Sequence, residues 1–83
     1  MPSSVFSDAY SQLLSMLLEE RMKSGLTQAE LAMRLRKSQS YVSKYERGER
    51  RIDVIELFEI LHAMKADSIR FVIDLQRNIY KSI

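Results

Sequence analysis

Thr27-Gln28-Ala29-Glu30-Leu31-Ala32-Met33-Arg34-Leu35-Arg36-Lys37-Ser38-Gln39-Ser40-Tyr41-Val42-Ser43-Lys44-Tyr45-Glu46-Arg47-Gly48 is the stretch on which the reading of this chain turns. It opens with a hydroxyl residue suited to a helix N-cap, and Glu30 stands three positions later to complete a capping box. Leu31, Ala32 and Leu35 recur at helical spacing, which predicts a short helix over about Gln28 to Leu35. Arg36-Lys37 leaves room for only a brief link before Ser38, a second N-cap residue. A further helix is predicted from about Gln39 to Arg47, ended by Gly48. At about 100° per residue, Gln39, Ser40, Ser43, Lys44 and Arg47 fall within roughly 140° of arc, while Val42 and Tyr45 point the opposite way. One side of this helix is built to be buried. The other holds no apolar residue and no carboxylate.

On the N-terminal side, Tyr10, Leu13, Leu14, Leu17, Leu18 and Met22 form a wide apolar stripe, predicting a first helix from about Phe6 to Ser24. Gly25 follows, where a helix end favours a residue tolerant of positive φ. On the C-terminal side, Asp53 and Glu56 form another capping box and open a fourth helix to about Met64. Val54, Leu57, Phe58 and Leu61 are expected to line its inner face, with Ile60 and Met64 beside it. Asp67 caps a fifth helix reaching Tyr80 or beyond. The expectation is an all-α domain of five helices over residues 1–83, with residues 1–5 disordered. Met16, Met22, Met33 and Met64 read as core or near-core filler, and His62 as a helix-surface residue.

Composition removes several classes of function. The 83 residues suit one small domain, whose core is marginal enough to gain from oligomerisation. The absence of cysteine removes disulfides, thiol catalysis and Cys-based zinc sites. A lone histidine builds no metal site of its own. No carboxylate pair, Cys–His arrangement or glycine-rich phosphate loop is present, so no enzyme, cofactor, metal or small-molecule ligand is expected. No apolar run approaches the ~20 residues of a membrane span. The opening Met1-Pro2-Ser3-Ser4 does not read as a signal peptide. A cytoplasmic protein is expected.

The net charge of +2 says little, but residues 27–52 carry seven Arg or Lys against three Glu, and the flanking thirds are each net negative. The middle third is thus the candidate phosphate-facing surface. In the third helix, Gln39 suits a bidentate pair with adenine, Lys44 a donor to guanine, and the short serines permit close approach. Two short helices joined by a tight turn present such a face at an angle, as reading a DNA major groove requires.

The stretch Gly25 to Ala32, followed by Ser38 to Arg50, resembles the lambda-repressor-like Cro/Xre helix-turn-helix family, over about residues 10–66. The resemblance implies a five-helix domain, usually dimeric, on a near-palindromic operator. It implies that Gln28 clamps a phosphate and that Gln39, Ser40 and Lys44 face bases. Tyr41 and Ser43 flank them, and Arg47, Arg50 and Arg51 hold backbone after the third helix. The N-termini capped by Thr27 and Ser38 offer free N–H groups to phosphate. Arg21 and Glu46 match a structural ion pair between the first helix and the end of the third. One departure stands out. The family's turn usually has glycine and an apolar residue where this chain has Arg36-Lys37, so Arg36 must adopt positive φ at some cost or the turn must change.

The fifth helix carries Ile69, Val72, Ile73, Leu75, Ile79, Tyr80 and Ile83, more apolar surface than a cap on a small core needs. Two placements remain open: its distal part packs on a second subunit in a C2 dimer, or it folds back on the first helix. The functional expectation is a sequence-specific, repressor-like transcriptional regulator. It binds double-stranded DNA as a homodimer on an inverted repeat. The alternative is a protein-interaction module on the same scaffold without DNA binding.

Overall fold

The computed structural model describes residues 8–81. The expectations for residues 1–5, Phe6 and Ile83 lie outside them. Five helices follow in order: α1 (Asp8–Ser24), α2 (Gln28–Leu35), α3 (Gln39–Glu46), α4 (Val54–Ala63) and α5 (Ser68–Tyr80). No strand occurs among the described residues. The all-α, five-helix expectation is met.

The caps explain the boundaries. The Thr27 hydroxyl accepts the Glu30 N–H at 3.0 Å, and the Glu30 carboxylate accepts the Thr27 N–H at 2.9 Å. Asp53 and Glu56 make the same reciprocal pair at 2.8 and 2.9 Å. Ser38 and Asp67 each accept the N–H three residues on. At the other ends, Gly25, Arg36, Gly48 and Lys65 all take positive φ. Each lets the following N–H reach back to a carbonyl five residues earlier, as Lys37 does to Ala32 at 2.9 Å.

Arg36 therefore adopts the left-handed conformation, φ 59°, and the turn keeps its geometry. A side chain with a Cβ is strained there by roughly 1–2 kcal/mol, partly offset by the extra freedom glycine would have when unfolded. Arg36→Gly is expected to raise stability by about 0.5–1 kcal/mol. It should appear as a higher urea midpoint at unchanged m-value. No gain would show the turn to be unstrained.

The core draws on every helix. Leu17, Leu31, Val42, Tyr45, Ile60 and Leu61 are fully buried, joined by Tyr10, Leu14, Ala32, Leu57, Met64 and Phe71. α2 packs on α3 and α4, α1 lies against α3 and α5, and α4 touches α5. The stripes read from sequence are wider than the faces actually covered. Leu18 and Met22 are exposed on α1, Met33 on α2, and Val54 and Phe58 on α4. Met22 and Met33 are thus not core filler, and the covered arc of α4 is Leu57, Ile60, Leu61 and Met64. A helix touching two neighbours covers only part of a broad apolar arc. Periodicity does not say which part.

The fifth helix is corrected most. Phe71, absent from the expected stripe, is its buried anchor, while Ile69 is 74% exposed. α5 folds back on α1, where Asn78 Nδ2 meets the Met16 sulfur at 3.3 Å. Apolar surface is left open at its end, where Tyr80 is exposed, and at its start, in a shallow depression lined by Phe58, Ile69, Val72 and Ile73.

Candidate nucleic-acid interface

Val42 and Tyr45, both fully buried, pin one side of α3 to the core. The opposite side therefore faces solvent, with Gln39, Ser40 and Lys44 exposed and Ser43 half-buried. The Tyr45 hydroxyl is buried without a hydrogen-bond partner among the described residues. Burial, with the nearby Glu46 carboxylate, pushes this phenol well above its ordinary pKa, so it stays neutral. Ser38 is exposed, but its hydroxyl is engaged in capping α3 at 3.3 Å from the Tyr41 N–H.

Behind this face sits a charged hub. Arg21 Nε and Nη2 donate to the two Glu46 oxygens at 2.7 and 3.2 Å. Arg21 Nη1 donates to the Leu26 carbonyl at 2.9 Å. Gln28 Nε2 donates to Glu46 Oε1 at 2.8 Å. The Arg21 and Glu46 side chains are only 12% and 9% exposed, so this is no solvated surface pair. One carboxylate thereby joins α1, the first turn of α2 and the last turn of α3. Because an amide nitrogen carries two hydrogens, Gln28 keeps a second N–H for another acceptor.

The cations after α3 are individually tied. Arg47 grips Glu49 with Nε and Nη2 at 2.9 and 3.1 Å, and its Nη1 meets the Ser43 hydroxyl. Arg50 grips Glu56 at 2.9 and 3.2 Å. Arg50, together with the Asp53 N–H, holds the Glu56 carboxyl below the usual range. The Arg51 guanidinium lies 4.2 Å from the Tyr10 ring centroid, and the Tyr10 hydroxyl accepts the Ile52 N–H at 3.1 Å. Tyr41 is half-buried, with Lys37 and Arg50 at 5.3 and 4.9 Å from its ring centroid. Among the described residues, Lys44 and Arg36 make no ion pair.

The structure thus brings Gln39, Ser40 and Lys44 to one open face, with Ser43 and Arg47 along its edge. Tyr41, Arg50 and Arg51 occupy a flank stiffened by cation–π contacts. Gln28 lies at the hub. Sequence reasoning placed Lys37 in the turn and Tyr10 on the stripe of α1 without their cation–π contacts, and it missed the pairing of Glu49 and the second role of Glu56. The Glu56 capping box was legible, but its grip on Arg50 six residues back follows no helical spacing. No group of three or more His, Asp or Glu among the described residues stands where it could hold a metal ion. No helix among them is long and apolar enough to cross a membrane.

Comparison with known proteins agrees with this architecture. A family model described as Helix-turn-helix (HTH_3) matches residues 17–68. An XRE-family like protein from Pseudomonas syringae pv. tomato str. DC3000 is 43% identical, with TM-score 0.80 over 83% of this chain and 86% of that one. A mutant of the restriction-modification controller protein C.Esp1396I is 25% identical, with TM-score 0.80 over 88% and 97% of the two chains. The same controller, solved as a tetramer with its natural 35-base-pair operator, shares the fold at 24% identity and TM-score 0.79, over 89% and 97%. No curated protein matches at a significant level. With a family model spanning more than half of its length and an XRE-family relative at 43% identity, the chain belongs to the helix-turn-helix family of the Cro/Xre type.

Proposed function

We propose that this protein is a sequence-specific, repressor-like transcriptional regulator, acting in the cytoplasm as a single DNA-binding domain over residues 1–83. The observation that carries the reading is the outer face of α3, where Gln39, Ser40 and Lys44 stand exposed on a helix whose back is buried. That combination suits insertion into a major groove. Gln39, Ser40 and Lys44 are the base readers, with Tyr41 and Ser43 beside them. Gln28, Ser38, Arg47, Arg50 and Arg51 serve the phosphate backbone, either directly or by ordering the surface that meets it. Arg21 and Glu46 hold α3 in place. The controller protein C.Esp1396I, solved on its operator, has the same fold, which supports the reading.

The working unit is a homodimer on an inverted repeat, with the two α3 helices about 34 Å apart, one turn of DNA. The open apolar surface of Phe58, Ile69, Val72 and Ile73 is the face offered to the second copy. An operator with two-fold symmetry calls for a self-complementary surface away from α3, and a core this small gains from the extra burial. Ile69→Glu/Ile73→Glu is expected to halve the mass measured by light scattering while helicity stays unchanged. A wild-type protein that is monomeric at tens of micromolar removes the dimer.

The test of the main reading is binding to random duplex DNA as a function of salt. A dimer making about six phosphate contacts should lose roughly 1,000-fold in affinity between 50 and 200 mM salt. Absence of salt-sensitive binding would shift the assignment to a protein-interaction module on the same scaffold.

A further inference from the structure

Three arginine–carboxylate pairs surround the end of α3, and they differ in how readily they can be exchanged. Arg21–Glu46 is nearly inaccessible. Arg50–Glu56 is built into the cap of α4, since Glu56 Oε1 accepts both the Asp53 N–H and Arg50 Nη1, and the Glu56 side chain is only 18% exposed. Releasing Arg50 would disturb the start of a helix. Arg47–Glu49 has no such commitment. Its two side chains are 54% and 55% exposed, and Glu49 accepts no other side-chain or cap hydrogen bond among the described residues.

Glu49 also has the right shape for a particular substitution. Its two oxygens sit on the Nε and Nη2 fork of Arg47 at 2.9 and 3.1 Å. A phosphate presents two oxygens to an arginine fork in the same way. With Nη1 engaged by Ser43, each guanidinium nitrogen already makes one hydrogen bond, and the Nε and Nη2 fork is occupied before any DNA arrives.

We propose that Glu49 is an internal competitor for the phosphate site of Arg47, occupying the fork in the free protein and leaving it when DNA backbone binds. This inference rests on the DNA-binding reading above. The exchange trades one anion for another, so Arg47 contributes less to affinity than an unpaired arginine would. Glu49 then sits as a released carboxylate beside a polyanion, which lowers the net counterion release. Its carboxylate makes no hydrogen bond or ion pair with a base reader, and of these only Lys44 reaches it, through the field of its ammonium. Glu49 is therefore a residue that sets affinity and salt sensitivity, and it leaves base preference alone. The Arg47 guanidinium holds the Glu49 carboxyl below its ordinary pKa, so the competitor, already ionised at neutral pH, also stays charged in mild acid.

The experiment compares wild type with Glu49→Gln on random duplex and on a site obtained by in-vitro selection. Glu19→Gln, on the exposed side of α1, controls for the change in net charge. Glu49→Gln is expected to bind both DNAs about two- to fivefold more tightly, the range of an exposed ion pair. The slope of log affinity against log salt should steepen by about 0.9, one additional phosphate equivalent. The selected sequence should not change. In an Arg47→Ala background, Glu49→Gln should do no more than Glu19→Gln.

If wild type binds with a normal salt dependence but Glu49→Gln behaves like Glu19→Gln, the competitor is overturned and the DNA reading stands. An altered selected sequence also overturns it, since Glu49 would then read a base. If wild type shows no salt-dependent binding, the DNA reading falls and this inference falls with it.

Discussion

Glu46→Ala is expected to destabilise the protein by about 3–5 kcal/mol, because it leaves the Arg21 guanidinium nearly buried without its partner. A domain of this size holds only about 4–12 kcal/mol in total, so the loss should be plain in a urea titration. The substitution removes three hydrogen bonds at once, two from Arg21 and one from Gln28. It also disconnects α1 from the end of α3. Replacing both charges with apolar residues, Arg21→Met/Glu46→Leu, should recover most of the stability, since a buried pair is often matched by hydrocarbon of similar volume. It should not restore DNA affinity, because Gln28 then lacks the acceptor that orients its amide. The pair therefore separates holding the fold from placing the phosphate contact. A Glu46→Ala protein within about 0.5 kcal/mol of wild type would reduce the hub to two independent charges.

Gln39→Ala/Lys44→Ala is expected to abolish sequence preference while leaving stability nearly unchanged. Both side chains are exposed, and Gln39 can still be replaced at the first position of α3 because Ser38 supplies the cap. A good bidentate reader is worth about 1–3 kcal/mol of discrimination against the wrong base. In a symmetric dimer each loss counts twice, so discrimination should fall by two orders of magnitude or more. Residual binding should resemble that to random duplex. The contrast with Glu49→Gln is the informative part. Losing one pair of residues should remove sequence preference at similar backbone affinity, and changing the other residue should alter affinity for all sequences alike. If the double variant still enriches the wild-type site, α3 is not the reader.

Much of this arrangement was legible residue by residue. Thr27, Ser38, Asp53 and Asp67 gave the helix starts because a cap is a bond between neighbours three positions apart. The inward turn of Val42 and Tyr45 also followed from spacing alone, and with it the outward turn of Gln39, Ser40 and Lys44. Arg21 and Glu46 were brought together only by the family resemblance, since no local rule links residues 25 positions apart. The attachment of Gln28 to the same carboxylate was not anticipated at all. Arg47, Arg50 and Arg51 looked alike in sequence. In the fold one grips an exposed carboxylate, one clamps a helix cap, and one lies over an aromatic ring. Glu49 escaped notice because it lies two residues beyond Arg47, off the i, i+3 and i, i+4 spacings of a helix. Lys37 was placed in the turn, but its position over the Tyr41 ring depends on how that turn folds.

The sequence by itself determined the five helices, their caps and the polar face of α3, because these depend on backbone geometry over a turn or two. Only the tertiary structure decided how far each broad apolar stripe is covered. It exposed Met22, Met33, Val54 and Phe58, and it made Phe71 the anchor of α5 in place of Ile69. Apart from Arg21–Glu46, which the family resemblance anticipated, it also decided which carboxylate each arginine holds. A helix with apolar residues around most of its circumference has several rotations of similar local energy, and packing against its neighbours selects one. A flexible arginine likewise pairs with whichever acceptor the packed helices bring within reach.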